Sequence, residues 1–129
     1  MKTGEPLVKV DSGNTDDMIG LADGTKLWLK PGSKFRYDKD FNDEDREVWL
    51  HGEMFINVAK DISRPFKVQA GKTTTEVLGT SFNILYKKET GKVRVIVNTG
   101  KVAFYKSDKI RQKEILLPGQ KAKYHADDD

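Results

Sequence analysis

Apolar and polar residues alternate with a period of two along almost the whole sequence. In the stretch KLWLK at residues 26–30, Leu27 and Leu29 fall on one side and Trp28 on the other. Successive residues of a β-strand point to opposite faces, so this pattern predicts a strand with one buried face. Similar runs predict further inward-facing sets, namely Phe35 and Tyr37; Val48, Leu50, Met54, Ile56 and Val58; Phe66 and Val68; Val77, Phe82, Ile84 and Tyr86; Val93, Val95, Val97, Val102 and Phe104; and Ile115, Leu117, Ala122 and Tyr124.

Turn-forming pairs separate these runs, at Asp23-Gly24, Pro31-Gly32, Thr99-Gly100 and Pro118-Gly119. No window has a helical period of useful length, and the least strand-like segment is the polar stretch at 38–47. The chain is therefore predicted to be all-β, with roughly ten or more short strands in a sandwich or roll. A solenoid-like β-coil is the alternative architecture, and no strict repeat is visible.

The stretch QAGKTTTEVLGTSFNI at 69–84 contains Gly-Lys-Thr, the ending of many phosphate-binding loops. Such a loop needs another glycine five residues before Gly71, and that position holds Phe66. The following β-branched threonines disfavour the helix whose N-terminus would bind the phosphate. We therefore interpret Gly71 and Lys72 as a hairpin turn between two strands.

The polar stretch at 38–47 begins like a calcium-binding loop, with Asp38, Asp40 and Asn42 at alternating positions. An EF-hand loop needs glycine at position six and glutamate at position twelve. Those positions hold Asp43 and Trp49, so the loop is interpreted as a solvated acidic loop.

Residues for catalysis are sparse. The two histidines, His51 and His125, lie in a strand-like run and in a polar tail, without a patterned ligand nearby. Ser81 lacks the second glycine of a nucleophile elbow. We therefore predict no enzyme activity, no catalytic residue, no metal site and no cofactor.

Composition narrows the function classes. The formal charge is only +3, and acidic and basic residues are interspersed, so a nucleic-acid partner is not expected. The absence of cysteine removes disulfides and zinc-thiolate sites. No segment is apolar enough to span a membrane, and the first 17 residues are too polar for a signal peptide. The sequence is either cytoplasmic or a piece of a longer chain.

Trp28 and Trp49 each occupy the face opposite the aliphatic residues of their own strand. An exposed pair would offer a stacking platform for a sugar or a protein. The alternative is that they cover a second apolar face, since tryptophan is usually well buried.

The ordered set of motifs resembles the FecR domain, the extracytoplasmic domain of FecR-family anti-sigma factors, in its Bacteroidetes form. The segments that carry the resemblance are LADGTKLWLKPGSKFRY, REVWLHGEMFINVAKDISRPFKV, VLGTSFNI, GKV and LPGQKA. The resemblance implies structural roles for Asp23, Gly24, Arg46, Gly52, Glu53, Gly79, Thr80, Phe82 and Asn83. We expect Phe82 to be buried, and Arg46 and Glu53 to form a fixed pair or a cap at a strand end; two unrelated surface charges are the alternative.

The resemblance also implies an organisation and a function. Residues 1–17 form a polar N-terminal segment, 18–124 the FecR domain and 125–129 an acidic tail. The chain is expected to be the periplasmic part of a single-pass inner-membrane anti-sigma factor, and so a piece of a longer chain. It would receive a signal from the periplasmic signalling domain of a TonB-dependent transporter and contact a C-terminal domain of its own protein. The sigma factor would be bound by another segment, and this part would make no membrane contact.

Strand addition at an exposed sheet edge is the means most open to an all-β receiver. Two rival functions stay open. One is a carbohydrate-binding β-module that uses Trp28 and Trp49. The other is a small hydrolase, which would need Ser or Asp to cluster with His51 in space.

Overall fold

The computed structural model describes residues 7–13, 17–38 and 46–125. These ranges contain twelve β-strands and no helix, which confirms the all-β prediction. The strands are β1 (Leu7–Asp11), β2 (Asp17–Gly20), β3 (Lys26–Leu29), β4 (Lys34–Asp38), β5 (Arg46–Asn57), β6 (Phe66–Ala70), β7 (Thr73–Val77), β8 (Ser81–Lys87), β9 (Lys92–Thr99), β10 (Val102–Lys106), β11 (Glu114–Leu116) and β12 (Lys121–Tyr124).

The strands form two sheets that share the 12-residue strand β5. The first half of β5 pairs with β4 and β6, and the second half pairs with β3 and β8. The first sheet therefore has the order β1-β4-β5-β6-β7-β10-β11, and the second has the order β2-β3-β5-β8-β9-β12. The long strand β5 is therefore part of both sheets.

The solenoid-like alternative is wrong. A coil of stacked short strands would pair its strands in parallel from one turn to the next. Among the described strands, only β5 and β6 are parallel, and the other pairs are antiparallel. The four predicted turn signals all lie between strands, but only Asp23-Gly24 joins two paired strands, β2 and β3. The turns at Pro31-Gly32, Thr99-Gly100 and Pro118-Gly119 each carry the chain from one sheet to the other.

One hydrophobic core lies between the sheets, and the alternation predicts most of it. The inward-facing residues of β5 are Val48, Leu50, Met54 and Ile56, each at most 4% exposed. Phe82 is fully buried, as predicted. The other buried apolar residues include Leu27, Leu29, Phe35, Val58, Phe66, Val68, Val77, Ile84, Val93, Val95, Val97, Val102 and Phe104.

The predicted phase of β11 is wrong. Leu116 is buried, whereas Ile115 and Leu117 are 51% and 50% exposed. Leu116 pairs with Val102, whose side chain is buried, and residues paired across antiparallel strands share a face. Because three successive residues are apolar, the alternation alone does not show which of them faces inward. The register with β10 places Leu116 on the inner face.

Strand β1 lies inside residues 1–17, which the sequence analysis describes as a polar N-terminal segment separate from the FecR domain. It pairs with β4 from Leu7↔Asp38 to Asp11↔Lys34, and is therefore part of the first sheet. Val10 packs against the core as a half-buried residue. Lys9 and Asp11 are exposed, which gives the strand its polar character.

Gly52 lies where β5 passes from one sheet to the other. Its φ of 115° is in the region that favours glycine, and a Cβ atom there would lie 2.7 Å from Ser33 Cα. The turn between β3 and β4 crosses β5 at this point. The Ser33 hydroxyl donates to the carbonyl of Glu53 and accepts from its N–H, at 3.1 and 2.9 Å.

A second serine fixes the same crossing. The buried Ser12 hydroxyl donates to the carbonyl of Lys30 at 2.6 Å and accepts from the Ser33 N–H at 3.1 Å. The Lys30 N–H donates in turn to the carbonyl of Glu53 at 3.0 Å. These bonds satisfy backbone groups that the sheets leave unpaired at the bend, as buried polar groups require.

Replacing Gly52 by alanine tests the bend. We expect Gly52→Ala to lower the free energy of unfolding by more than about 3 kcal/mol, because the new Cβ adds a clash with Ser33 backbone to the positive φ. Gly119→Ala is the matched control, since Gly119 has a φ of 86° and a Cβ atom added there would meet no atom within 4 Å. The control should lose about 1–2 kcal/mol in denaturant titration. Equal losses for both variants would show that the crossing is not tight.

Candidate functional site

The fully buried Arg46 is the first residue of β5. An arginine side chain has five N–H donors, and all five are used here. The Nε atom donates to the carbonyl of Arg64 at 2.8 Å; Nη1 donates to Asp23 Oδ2 at 2.9 Å and to the carbonyl of Ala59 at 2.6 Å; Nη2 donates to the carbonyls of Asp61 at 3.2 Å and Leu78 at 3.3 Å. The guanidinium thus joins three separate loops.

Asp23 holds the first of these loops, between β2 and β3. Its side chain is 2% exposed and forms the ion pair with Arg46. Its carboxylate also accepts from the N–H and the hydroxyl of Thr25, at 2.9 and 2.8 Å. The Thr25 hydroxyl then accepts from the N–H of Ala59 at 3.0 Å. Gly24 turns the chain inside this loop with a φ of 94°.

The loop from Val58 to Pro65 packs on the loop between β7 and β8. The N–H groups of Val58 and Asp61 donate to the carbonyls of Thr80 and Leu78, at 2.9 and 2.8 Å. Gly79 permits the approach, because a Cβ atom there would lie 2.7 Å from Lys60 Cα. The motif residues Asp23, Gly24, Arg46, Gly79 and Thr80 therefore meet at one end of the fold.

Thr80 extends this cluster to the turn before β10. Its hydroxyl donates to the carbonyl of Lys101 at 2.9 Å and accepts from its N–H at 3.3 Å. Every contact in the cluster is made within the chain and is buried or half-buried. The cluster therefore holds the loops at this end of the fold together.

Arg46 and Glu53 do not pair with each other, contrary to one of our expectations. Glu53 lies on the outer face of the second sheet, where its Oε2 accepts from Asn83 at 3.1 Å and from Arg94 at 3.4 Å. Arg94 also donates to Asn83 Oδ1 at 3.2 Å. Arg46 and Glu53 are seven residues apart, so their side chains leave β5 on opposite faces, Arg46 inward and Glu53 outward.

The two tryptophans lie on different sheets. Trp28 is 38% exposed on β3, with its ring 5.8 Å from that of Phe55. Trp49 is half-buried in the first half of β5, with the Arg36 guanidinium 5.7 Å from its ring. Neither tryptophan is buried in a second core, and they belong to separate faces. A single platform formed by both indoles is therefore not what the structure builds.

The described ranges contain no metal-binding cluster, and the two histidines lie in different surroundings. No group of three or more acidic, histidine or cysteine residues there could hold a metal ion. His51 faces Glu89 at 3.9 Å, and His125 is exposed. Gly71 turns between β6 and β7, as interpreted from the sequence. The calcium-like residues Asp40, Asn42 and Asp43, and the tail residues 126–129, lie outside the described residues.

Each sheet has two edge strands, and they differ in chemistry. The outer faces of β1 and β12 carry lysines, at Lys9 and at Lys121 and Lys123, which is a common protection of an edge. Strand β11 pairs with β10 alone among the described strands, and exposes Ile115. Leu117 follows it and is also exposed. This unpaired apolar edge is the feature best suited to contact another protein.

The ordered motifs have a counterpart among known families. A family model described as FecR protein matches residues 9–103, well over half of the chain. The chain belongs to the FecR family. The match begins inside the segment 1–17, in agreement with the pairing of β1 in the first sheet.

Two crystal structures from Parabacteroides distasonis ATCC 8503, each assigned as an anti-sigma factor, are similar to this FecR-family chain. One matches at 30% identity with a TM-score of 0.80, over 93% of this chain and 60% of that chain. The other matches at 29% identity with a TM-score of 0.79, over 92% and 59%. The chain thus spans about three fifths of the length of these relatives. No curated protein matches the sequence.

These findings support an anti-sigma factor domain. The anti-sigma factor family is a regulatory and non-enzymatic kind of protein. None of the described residues forms a helix that could cross a membrane.

Sequence reasoning missed residues beside the Arg46 cluster and beside Glu53. Asp61 and Ser63 form a local turn, in which the Ser63 hydroxyl and N–H donate to Asp61 Oδ1 at 2.6 and 3.1 Å. The Asp-Ile-Ser order was the available signal, because aspartate commonly binds the backbone two residues on. Arg94 carried no such signal, since its partners are cross-strand neighbours in the second sheet.

Arg46→Lys tests the donor count. Lysine keeps the charge but has three donors, so at least two of the five acceptors lose a partner. We expect the free energy of unfolding to fall by at least about 2 kcal/mol in denaturant titration. Arg94→Lys is the control, because the half-exposed ion pair of Arg94 with Glu53 should contribute less than about 1 kcal/mol to the free energy of unfolding. A loss for Arg46→Lys as small as that of the control would contradict the description of the cluster.

The turn at Asp61 gives a pH prediction. The hydrogen bond from Ser63, followed by that from Arg64, lowers the pKa of Asp61 from 3.8 to about 2. Because the folded pKa is depressed, the carboxylate stabilises the fold above pH 3.8, and this contribution is lost as the pH falls towards 2. In an NMR titration, Ser63→Ala should raise the pKa of Asp61 towards 3.8, whereas Ser63→Thr should leave it near 2. An unchanged pKa in Ser63→Ala would remove the serine as the main cause.

Proposed function

We propose that this chain is the periplasmic signal-receiving domain of a transmembrane anti-sigma factor. In this role it couples a TonB-dependent outer-membrane transporter to an extracytoplasmic-function sigma factor. Membership of the FecR family supports the proposal, together with the likeness to a protein assigned as an anti-sigma factor. The domain acts by binding and not by catalysis, and takes no cofactor.

The observation that carries the receiver role is the free edge of β11. A strand of a partner that adds to this edge gains backbone hydrogen bonds, and the exposed Ile115 and Leu117 add apolar contact. Strand β11 pairs with β10, β10 pairs with β7, and β7 pairs with β6. A signal received at this edge therefore reaches a continuous sheet.

We propose two partners for this domain. The transporter's periplasmic signalling domain binds at the edge, and a C-terminal domain of the same protein supplies further contact. The two structural relatives are longer than the matched region, which leaves room for such a domain in a whole protein. The sigma factor binds elsewhere, because the described residues present no amphipathic helix to it.

The affinity of this domain alone should be weak. A three-residue edge strand buries far less area than the roughly 1,200–2,000 Å² of a stable interface. Calorimetry with a purified signalling domain should therefore detect binding mainly with the whole periplasmic part of the protein.

Two substitutions on different edges locate the contact in that experiment. Ile115→Lys should weaken binding by about tenfold or more, since it places a charge on the apolar edge. Met18→Lys is the matched control: Met18 is 57% exposed on the β2 edge, so it should not change the affinity.

Equal effects of the two variants would move the contact away from β11. Tight binding of the sigma factor to this chain alone would overturn the assignment. If even the whole periplasmic part binds no transporter domain, the receiver role is withdrawn and the domain is a spacer.

A further inference from the structure

A cleft of about 620 Å³ opens on the outer face of the first sheet, away from β11. The strands β1, β4 and β5 form one side of it, and the end of β8 contributes Tyr86 from the second sheet. Its volume falls within the roughly 300–1,000 Å³ typical of small-molecule sites. Neither the Arg46 cluster nor the β11 edge uses this cleft.

The lining is strongly cationic. Lys9, Lys34, Arg36 and Lys88 line the cleft against a single carboxylate, that of Asp11. Four positive charges and one negative charge give +3, as much as the formal charge of the whole chain. Within residues 7–13, 17–38 and 46–125, no carboxylate forms an ion pair with any of the four cations. The Asp11 carboxylate instead accepts from the N–H of Gly13 at 3.0 Å.

The charges lie in register across the sheet. Lys9 pairs with Arg36, and Arg36 pairs with Trp49, so the three side chains form one row on the outer face. Lys34 pairs with His51 in the next row. The backbone pairing therefore fixes the spacing of the cations, although the side chains themselves are exposed.

Aromatic rings border the same cleft. Trp49 is half-buried, with the Arg36 guanidinium 5.7 Å from its ring, within cation–π distance. A guanidinium that stacks on an indole still presents the N–H groups at its edge, and these can bind a carboxylate or a sulfate. Tyr86 is half-buried beside Gly71, with its ring 5.8 Å from that of His51. These rings offer flat faces against which a sugar ring can pack.

We propose that this cleft binds an acidic oligosaccharide, that is, a sugar chain with carboxylate or sulfate groups. The cations pair with the acidic groups, while Trp49 and Tyr86 pack against the sugar rings. The half-buried rings of Trp49 and Tyr86 favour a sugar over an acidic peptide as the occupant, because they add stacking faces to the cations. The site is independent of the β11 edge and does not rest on the transporter role.

The two tryptophans allow a clean measurement, since the chain has no others. Trp28→Phe leaves Trp49 as the sole indole, and Trp49→Phe leaves only Trp28. With Trp28→Phe, a titration with oligogalacturonate or a heparin-derived tetrasaccharide should change the fluorescence with a Kd below about 1 mM. With Trp49→Phe, the same sugars should leave the signal of Trp28 unchanged.

Charge variants in the Trp28→Phe background identify the cleft. Arg36→Gln should raise the Kd by about tenfold, whereas Lys121→Gln on β12 makes the same charge change in the second sheet and should not alter it. Added salt should weaken the binding, because the contacts are between exposed charges. Circular dichroism of each variant checks that the fold is retained.

Three results would overturn the proposal. A neutral maltotetraose that binds as tightly would show that the cations are not used. A tetraglutamate peptide that binds more tightly than both sugars would reassign the cleft to acidic peptides. If neither acidic sugar changes the Trp49 fluorescence at about 1 mM, the cleft is not a saccharide site.

Discussion

The buried guanidinium of Arg46 is the interaction on which the rest of this fold depends. Four of its five acceptors are backbone carbonyls in loops that no sheet pairing would hold in place. A charge taken out of water costs several kcal/mol unless it is paired and fully hydrogen-bonded. Here the Asp23 carboxylate supplies the pairing and the loops supply the remaining bonds. The loops and the guanidinium therefore require each other.

Gly52 has the complementary role at the other side of the molecule. The shared strand β5 begins at Arg46, passes the crossing with Ser33 at Gly52, and ends against the loop that Arg46 binds. The two sheets are thus tied at both halves of one strand. Because the interior side chains stabilise the fold, we expect partners to bind at the outer faces and edges. This agrees with the proposed regulatory role.

The alternation of apolar residues predicted the all-β class and nearly all inward faces. It succeeded in β5 because Val48, Leu50, Met54 and Ile56 keep one phase through Gly52. It failed in β11, where Ile115, Leu116 and Leu117 are all apolar and only pairing with β10 selects the phase. The burial of Arg46 was also beyond periodicity, because its acceptors lie 13 to 32 residues away along the chain. The resemblance identified the motif residues, but the meeting of Asp23, Gly79 and Thr80 at the Arg46 end of the fold is a property of three loops in space.

A double-mutant cycle between Asp23 and Arg46 tests the central claim most directly. The two single variants, Asp23→Ala and Arg46→Met, should each cost about 3–5 kcal/mol, because each leaves a buried charge or buried acceptors without a partner. We expect a coupling energy of about 2 kcal/mol or more between them. The parallel cycle between Glu53 and Arg46 should give a coupling near zero, since these side chains have different partners. Absence of coupling between Asp23 and Arg46, or an equal coupling in the two cycles, would contradict the account.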